Sequence, residues 1–167
     1  MYRLTGVDLT TIDGIQSHTA LKVLSETGTD MGRWQSANQF CSWLGLAPGC
    51  KISGGKRLGG KTKRTANRAA AALRMAAESL SNSHSALGAF YRKKRYHLGG
   101  AKAITATAHK LARIIYAMLT QGTAYEGPGE NAYEEQYQQR VRKNLRQKAK
   151  KMGLVLVYAD TGEAVMD

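Results

Sequence analysis

Apolar side chains recur three and four positions apart along two long stretches of the chain, which is the spacing of one face of an α-helix. The first stretch predicts a helix that begins near 61–65 and ends at about Leu80. Its face consists mostly of small residues: Ala66, Ala69, Ala70, Leu73, Ala76, Ala77 and Leu80. The second stretch predicts a helix over 101–119, with Ile104, Ala108, Leu111, Ile115 and Met118 on one face. The pattern therefore predicts a mainly α-helical protein.

Residues 8–28 have the pattern of a short helix, a glycine-centred turn and a second helix that ends near Gly28. The pattern resembles a helix-hairpin-helix, a module that offers backbone N–H groups at a helix start to DNA phosphate. Gln16 stands where the second hairpin glycine is usual. A hairpin that serves packing alone is therefore an equal alternative.

Residues 31–46 predict another short helix, with Ser36 as its N-cap. Trp34 and Trp43 lie in this segment, and each could stack on a nucleic-acid base. Because both stand among apolar residues, a place in the core is the more frequent outcome.

The last part of the chain differs in composition. A linker at 122–130 contains Pro128 and precedes a predicted helix over 131–153 with a thin apolar seam. Seven of the twelve residues at 140–151 are basic, which is typical of an arm that lies on nucleic acid or on another subunit. Segments 154–158 and 163–165 predict a small β-hairpin. We expect a domain over 1–125 and an arm over 126–167.

The charge balance narrows the choice of partner. The 167 residues include 25 Lys and Arg against 12 Asp and Glu, a net charge of +13, which indicates a nucleic-acid binder. No acid lies between Asp30 and Glu78 or between Glu78 and Glu126, whereas these intervals hold nine and seven basic residues. An anionic membrane is the competing partner. Since no apolar run spans a bilayer and the N-terminus has no signal-peptide core, we expect a cytoplasmic protein with no membrane partner.

The sequence has no pattern that indicates a metal site or a set of disulfide bonds. The two cysteines, Cys41 and Cys50, form neither a disulfide framework nor a zinc-binding pattern. We expect no metal site in this chain.

The candidate chemical groups are most concentrated at 51–68. The first part of this stretch, the Ser53 loop with Gly54-Gly55 and Gly59-Gly60, lacks the periodicity of a helix or a strand. Ser53 stands beside Gly54 and Gly55, and six Lys and Arg follow between Lys56 and Arg68. Glycine lets a phosphate approach the backbone N–H groups, and the cations neutralise it. A serine beside a held phosphodiester is placed for nucleophilic attack, so Ser53 is the candidate nucleophile.

Two further clusters extend this basic surface. Arg64, Asn67 and Arg68 lie one turn apart near the predicted helix start, where the helix dipole also attracts an anion. His109, Lys110 and Arg113 lie together on the 101–119 helix. His109 is the candidate general base, although a lone helical histidine more often has a structural hydrogen bond. The alternative for both clusters is a solvated basic face.

Segment 87–96 interleaves basic residues with aromatic ones, a pattern that fits a nucleic-acid groove. Its Tyr and Phe side chains could instead anchor the segment to the core.

Three strings identify a family resemblance: SWLGLAPGCKISGGK at 42–56, KTKRTANRAA at 61–70 and ATAHKLARIIY at 106–116. They resemble the C-terminal transposase domain of the DEDD insertion-sequence transposases, relatives of the Piv/MooV DNA invertases. The resemblance implies that Ser53 attacks DNA and forms a covalent link. It also implies a RuvC-like partner domain whose four acids hold Mg²⁺, and, as in some members, a structured guide RNA.

No RuvC-like domain precedes residue 8, so we expect this chain to be one half of a composite enzyme, with no cofactor of its own and Mg²⁺ in the missing domain. The predicted partners are DNA, the RuvC-like domain, further copies of the chain in a homo-oligomer and, as in some members of the family, a guide RNA. A non-catalytic DNA- or RNA-binding module and a subunit-pairing domain are the alternatives. The predicted nucleic-acid contacts are Gly54, Gly55, Lys56, Arg57, Lys61, Lys63, Arg64, Asn67, Arg68, Lys110 and Arg113.

Overall fold

The computed structural model of the protein describes residues 5–49, 51–63, 65–160 and 162, with the backbone alone at 51, 52 and 56–59. Six α-helices and one two-stranded sheet form the described part. In chain order these are α1 (Ser17–Thr27), α2 (Ala37–Trp43), β1 (Lys51–Ser53), β2 (Lys56–Gly59), α3 (Arg68–Ser79), α4 (Ala86–Leu98), α5 (Gly100–Gln121) and α6 (Glu130–Lys151). Short 3₁₀ turns lie at Leu9–Thr11, Met31–Arg33 and Leu80–Asn82. The prediction of a mainly α-helical fold is confirmed.

The core forms where α5 packs against α2, α3 and α4, and where α3 packs against α1. The small-residue face predicted for the first long helix is buried on α3, where Ala69, Ala70, Leu73 and Ala77 have no exposed surface. On α5 the predicted apolar face supplies Ala108, Leu111, Ile115 and Met118 to the same core. The second long helix also has the predicted extent to within a few residues.

Side-chain caps set several helix starts. Ser36 accepts a hydrogen bond from the backbone N–H of Gln39 at 3.3 Å, so the predicted cap of α2 is confirmed. Asn67 caps α3 by accepting from the N–H of Ala70 at 3.0 Å. The predicted start of this helix near 61–65 is therefore wrong, because residues 61–63 still belong to the chain that leaves the sheet.

Residues 8–28 form a 3₁₀ turn, a tight turn at Gly14 and then α1, which ends at Gly28 as predicted. Gly14 has a φ of +81°, and a methyl group on its Cα would lie 2.9 Å from Cγ of Leu80. Glycine is therefore required here both by its conformation and by the close approach of the turn after α3. This contact is a packing role, and the helix-hairpin-helix role in DNA binding stays a prediction.

The stretch after α2 lacks the alternating pattern of a strand, yet it contains an antiparallel hairpin in which Ile52 pairs with Arg57 and Ser53 with Lys56. Gly54 and Gly55 form the two-residue connection, with φ values of +56° and +73°. Two consecutive positive φ angles are what a type I′ turn requires, and this turn matches the twist of paired strands. The glycine pair thus favours a hairpin through its turn conformation, even though the flanking residues lack the alternation of apolar and polar side chains that is usual in strands.

The predicted C-terminal β-hairpin is not confirmed in the described residues. Segment 154–158 has no strand, apart from one bridge residue at Val157, and 163–165 lies outside the described residues. Val155 and Val157 are exposed, so the segment has no core to pack against. An isolated two-stranded ribbon is marginal without such packing.

No helix in the described part of the chain is long and apolar enough to cross a membrane.

Gly88 of α4 tests the close packing at the helix start. A methyl group on its Cα would lie 2.2 Å from the Ser83 carbonyl oxygen and 3.0 Å from that of Leu80. We expect Gly88→Ala to lower the free energy of unfolding by about 1–3 kcal/mol, the usual cost of overpacking, as measured by urea denaturation.

The matched control is Gly100→Ala at the start of α5, where nothing lies within 4 Å of the added methyl. This variant should be neutral or slightly more stable, because alanine favours a helix over glycine. Equal effects at the two positions would contradict the packing around Gly88.

Candidate nucleic-acid interface

The base of the hairpin is joined to the core by backbone contacts between the segments that enter and leave it. The N–H of Gly49 donates to the carbonyl of Lys61 at 3.1 Å, and Pro48 forms a bridge with Thr62. The hydroxyl of Thr65 donates to the carbonyl of Leu44 at 3.3 Å. Because Leu44 is buried and Asn67 starts α3, the hairpin is held between α2 and α3.

The tip of this hairpin carries Ser53, which is the last residue of β1 and is exposed. Gly54 and Gly55 follow it, and nothing lies within 4 Å of a side chain built on either one. The structure therefore places the predicted nucleophile at an open, side-chain-free turn. Lys56 and Arg57 follow in β2, where Lys56 pairs with Ser53 across the turn.

The remaining cations of this stretch lie along the exit from the hairpin. Lys61 and Lys63 are exposed, and Arg64 lies outside the described residues. Arg68 is also exposed, and its Nε lies 3.1 Å from a carboxylate oxygen of Glu26 on α1. A surface pair of this kind contributes little and leaves the guanidinium open to solvent. Asn67 adds the cap described above, so its side-chain oxygen already has a partner.

A second basic region lies on α4, where the start of α6 is anchored. The guanidinium of Arg92 donates to the carbonyls of Ser83 at 2.7 Å and Ser81 at 3.3 Å, and it forms an ion pair with Glu130. The imidazole of His84 lies 3.5 Å from the same carboxylate. Arg92 therefore holds together the α3–α4 connection and the first residue of α6.

Farther along α4, Lys93 is held by the next turn of α6. Its Nζ lies 2.5 Å from a carboxylate oxygen of Glu134 and 3.3 Å from the ring centroid of Tyr137. The hydrogen bond from Lys93 lowers the pKa of Glu134. The two contacts combine an ion pair with a cation–π interaction.

Lys110 of α5 joins the same region from the side. Its Nζ lies 4.4 Å from the ring centroid of Phe90 and 5.3 Å from that of Tyr133. Burial lowers the pKa of Lys110, and the nearby charges of Arg140 and Lys94 lower it further. We call these contacts of Lys93 and Lys110 with Tyr133, Glu134 and Tyr137 the α6 clasp.

The α6 clasp was not predicted from the sequence. The basic residues at 140–151 predict an arm on nucleic acid or on another subunit, whereas the first half of this helix packs on α4 of the same chain through Tyr133 and Tyr137. The available signal was charge: the acids at 130–135 form a compact group, and the longest uninterrupted basic run in the sequence is 92–95. The aromatic residues of segment 87–96 have different environments: Tyr91 is buried, Phe90 lies beside Lys110 and Tyr96 is exposed.

His109 and Arg113 lie on α5 at the side that meets α2. The backbone carbonyl of His109 accepts a weak hydrogen bond from Sγ of Cys41 at 3.8 Å. Burial lowers the pKa of the His109 imidazole, and the charge of Arg113 acts in the same direction. No hydrogen bond in the described part of the chain joins His109 to Ser53, so its role as a general base stays a prediction. Arg113 is exposed, as a phosphate contact requires.

The two tryptophans have different environments. Trp34 is buried and its backbone carbonyl accepts from the hydroxyl of Tyr116 at 2.8 Å, so the expected place in the core is confirmed. Trp43 is 39% exposed, with its ring centroid 5.1 Å from that of Trp34.

Among the described residues, no three His, Cys, Asp or Glu side chains come together as metal ligands would.

Comparison with known families gives one match. The family model described as transposase IS116/IS110/IS902 family matches residues 8–92, which contain α1, α2, the hairpin, α3 and the first half of α4. No curated protein matches the chain. The matched span covers 85 of the 167 residues and includes Ser53 with the whole hairpin. The protein therefore belongs to the IS116/IS110/IS902 family of transposases.

Proposed function

We propose that Ser53 is the nucleophile of DNA strand exchange in this transposase. Its Oγ loses a proton and bonds to the phosphorus of a DNA phosphodiester, and the displaced deoxyribose oxygen leaves with a proton. The protein is then joined to one DNA end through a serine phosphodiester. The observation that supports this proposal is the exposure of Ser53 beside the open Gly54–Gly55 turn.

The turn suits a phosphodiester for steric reasons. A phosphate that approaches Ser53 Oγ must pass the residues next to it, and Gly54 and Gly55 present no side chain there. Negative charge builds on the phosphate in the transition state, and positively charged side chains held nearby stabilise it. Those neighbours follow directly in sequence, and we assign them as the DNA contacts: Lys56, Arg57, Lys61, Lys63, Arg64 and Arg68, with Asn67 beside them.

The proposal includes a partner domain. We place this chain beside a RuvC-like domain, as in the DEDD transposases and the Piv/MooV invertases, whose four acids hold Mg²⁺ and would supply further charge stabilisation at the phosphate. The proton of Ser53 then passes to a group of that domain or to a basic neighbour in this chain. A guide RNA that selects the DNA sites belongs to the same proposal.

The test uses the complete composite enzyme with Mg²⁺ and DNA that carries element ends. After denaturation, mass spectrometry of the protein should find a DNA adduct on Ser53. Ser53→Ala should abolish the adduct and leave DNA affinity unchanged, because the hydroxyl is exposed and no described hydrogen bond depends on it.

Ser42→Ala is the matched control, since Ser42 is another exposed serine within the matched family span. It should leave the adduct unchanged. DNA rearrangement with no adduct, or with an adduct on another residue, would leave this chain as a non-catalytic DNA- or RNA-binding module.

The assigned DNA contacts predict a salt dependence. Each neutralised phosphate makes log affinity for duplex DNA fall by about 0.9 per decade of salt. We expect Lys63→Gln to make this slope shallower by about that amount, as measured by fluorescence anisotropy over a salt series. Lys102→Gln removes one exposed lysine outside the assigned contacts and should leave the slope unchanged. Identical slopes for both variants would argue against a phosphate contact at Lys63.

A role in subunit pairing is the second candidate, and exposed apolar side chains support it. Beyond the clasp, Leu145 of α6 is 48% exposed, and Met152, Leu154 and Val155 after the helix are exposed as well. A homo-oligomer would remove this surface from water.

Sedimentation velocity tests the pairing. If α6 joins subunits, Leu145→Gln should shift the protein towards the monomer. Leu21→Gln changes an exposed leucine of α1 and should not. A wild-type protein that sediments as a monomer at high concentration would contradict this candidate.

A further inference from the structure

The charges of α6 are divided between its two halves. Its acids, Glu130, Glu134 and Glu135, lie in the first two turns, and its seven bases lie in 140–151. The acidic half is the one that packs on α4, where Arg92, Lys93, Lys94 and Arg95 follow one another. Two carboxylates of α6 thus pair with this basic run, Glu130 with Arg92 and Glu134 with Lys93.

We propose that the face of α4 and α5 that carries Lys93, Lys94 and Lys110 is a second binding surface for nucleic-acid phosphate, and that the acidic half of α6 covers it until nucleic acid displaces it. This inference rests on the proposed function in that nucleic acid is the ligand. It adds a surface outside the hairpin and a device that controls access to it.

The clasp contacts Lys93 and Lys110 through the same kinds of groups that a bound nucleotide would offer, a negatively charged oxygen and an aromatic ring. The Glu134 carboxylate holds the Lys93 ammonium at 2.5 Å, as a phosphate oxygen would. The rings of Tyr133 and Phe90, whose centroids are 6.5 Å apart, flank Lys110. Phe90 belongs to α4 and stays when α6 leaves, so an aromatic ring and three ammonium groups remain on the uncovered face. Basic groups interleaved with an aromatic ring are the usual features of a backbone-tracking groove.

The cover is held by interactions that nucleic acid can replace. None of the residues of α6 is fully buried, so its docking depends on partly exposed ion pairs and ring contacts. The carboxylates of Glu130 and Glu134 are partly exposed and salt screens their pairs, although the Nζ of Lys93 is itself buried. A polyanion repels the acidic half of α6 and attracts the basic half, so both halves favour rotation of the helix when nucleic acid arrives.

The start of α6 is better anchored than its middle. Gly129 forms a bridge with Ser85, and Arg92 holds Glu130 while also bonding two carbonyls of its own connection. A displaced α6 therefore stays tethered at this end.

Adjacent glutamates of α6 provide a matched test. Glu134 pairs with Lys93, whereas Glu135 is exposed on the neighbouring side of the helix. Glu134→Gln and Glu135→Gln change the net charge equally, and only the first removes a contact of the cover. In the full chain, we expect Glu134→Gln to bind duplex DNA about threefold to fivefold more tightly than Glu135→Gln, as measured by fluorescence anisotropy.

Equal affinities of the two variants would overturn the proposal, because the gain would then come from net charge. Weaker binding by Glu134→Gln would also overturn it, since docked α6 would then be part of the binding surface. In the double variant Lys93→Gln/Glu134→Gln, the gain should disappear, because the uncovered lysine is absent. A gain that persists would place the second surface elsewhere.

Hydrogen exchange measures whether the acidic half of α6 leaves α4. On saturation with DNA, backbone amides at 134–139 should exchange faster in the wild-type chain, and unchanged protection would overturn the proposal.

The binding and exchange measurements together also separate this proposal from the proposed function. Wild-type binding without faster exchange rejects the cover alone, while no binding by either the wild type or Glu134→Gln rejects both DNA binding and the cover.

Discussion

The close approach of α3 to its neighbours is the constraint on which the rest of the structure depends. Alanines at 69, 70, 76 and 77 present almost no side-chain bulk, so α1 and α5 can pack against opposite parts of the same helix. The turn at Gly14 reaches the end of α3 for the same reason. Since Asn67 fixes where α3 begins, it also fixes where the chain that leaves the hairpin must arrive. The placement of Ser53 thus follows from the packing of small residues far from it.

Charge organises the other side of the molecule. The middle of the chain holds a long acid-free interval, and a basic helix such as α4 would repel itself without nearby anions. The acids of α6 supply them, and Tyr133 and Tyr137 add ring faces for the ammonium groups. The hairpin has no such compensation in the described residues, apart from the pair of Arg68 with Glu26 at its exit. Among the described side chains, Arg92 and Lys93 of α4 are therefore paired with acids, whereas Lys61 and Lys63 at the exit of the hairpin are exposed.

The helices could be predicted from the sequence because their apolar residues have a regular spacing and their ends have recognisable caps, as at Ser36 and Gly28. The hairpin was missed because its evidence is a glycine pair and not an alternating pattern, and positive φ at two consecutive residues is visible only in the backbone. The start of α3 was placed too early because the apolar spacing continues to Ala66, whereas the cap at Asn67 decides the boundary.

For the candidate site, the sequence shows which side chains are available for nucleic-acid contacts, but it does not show which other side chains surround them in the fold. Ser53, Lys61, Lys63 and Arg68 are exposed, in keeping with their predicted contacts, and such exposure is expected of polar residues in a glycine-rich segment. Lys110 was grouped with them by charge alone. Its position over Phe90 and Tyr133 depends on contacts among α4, α5 and α6, and no local pattern specifies which helices meet.

The matched family span ends at residue 92, yet the fold that supports Ser53 does not end there. Helix α5 lies beyond the match and fills the core between α2 and α3. Its Tyr116 hydroxyl donates to the Trp34 carbonyl, and its His109 carbonyl accepts from Cys41, so both segments before the hairpin are tied to α5. Removal of α5 would expose the apolar faces of α2 and α3 and free the two ends of the hairpin. The chemistry assigned to 51–68 therefore depends on residues outside the region that identifies the family.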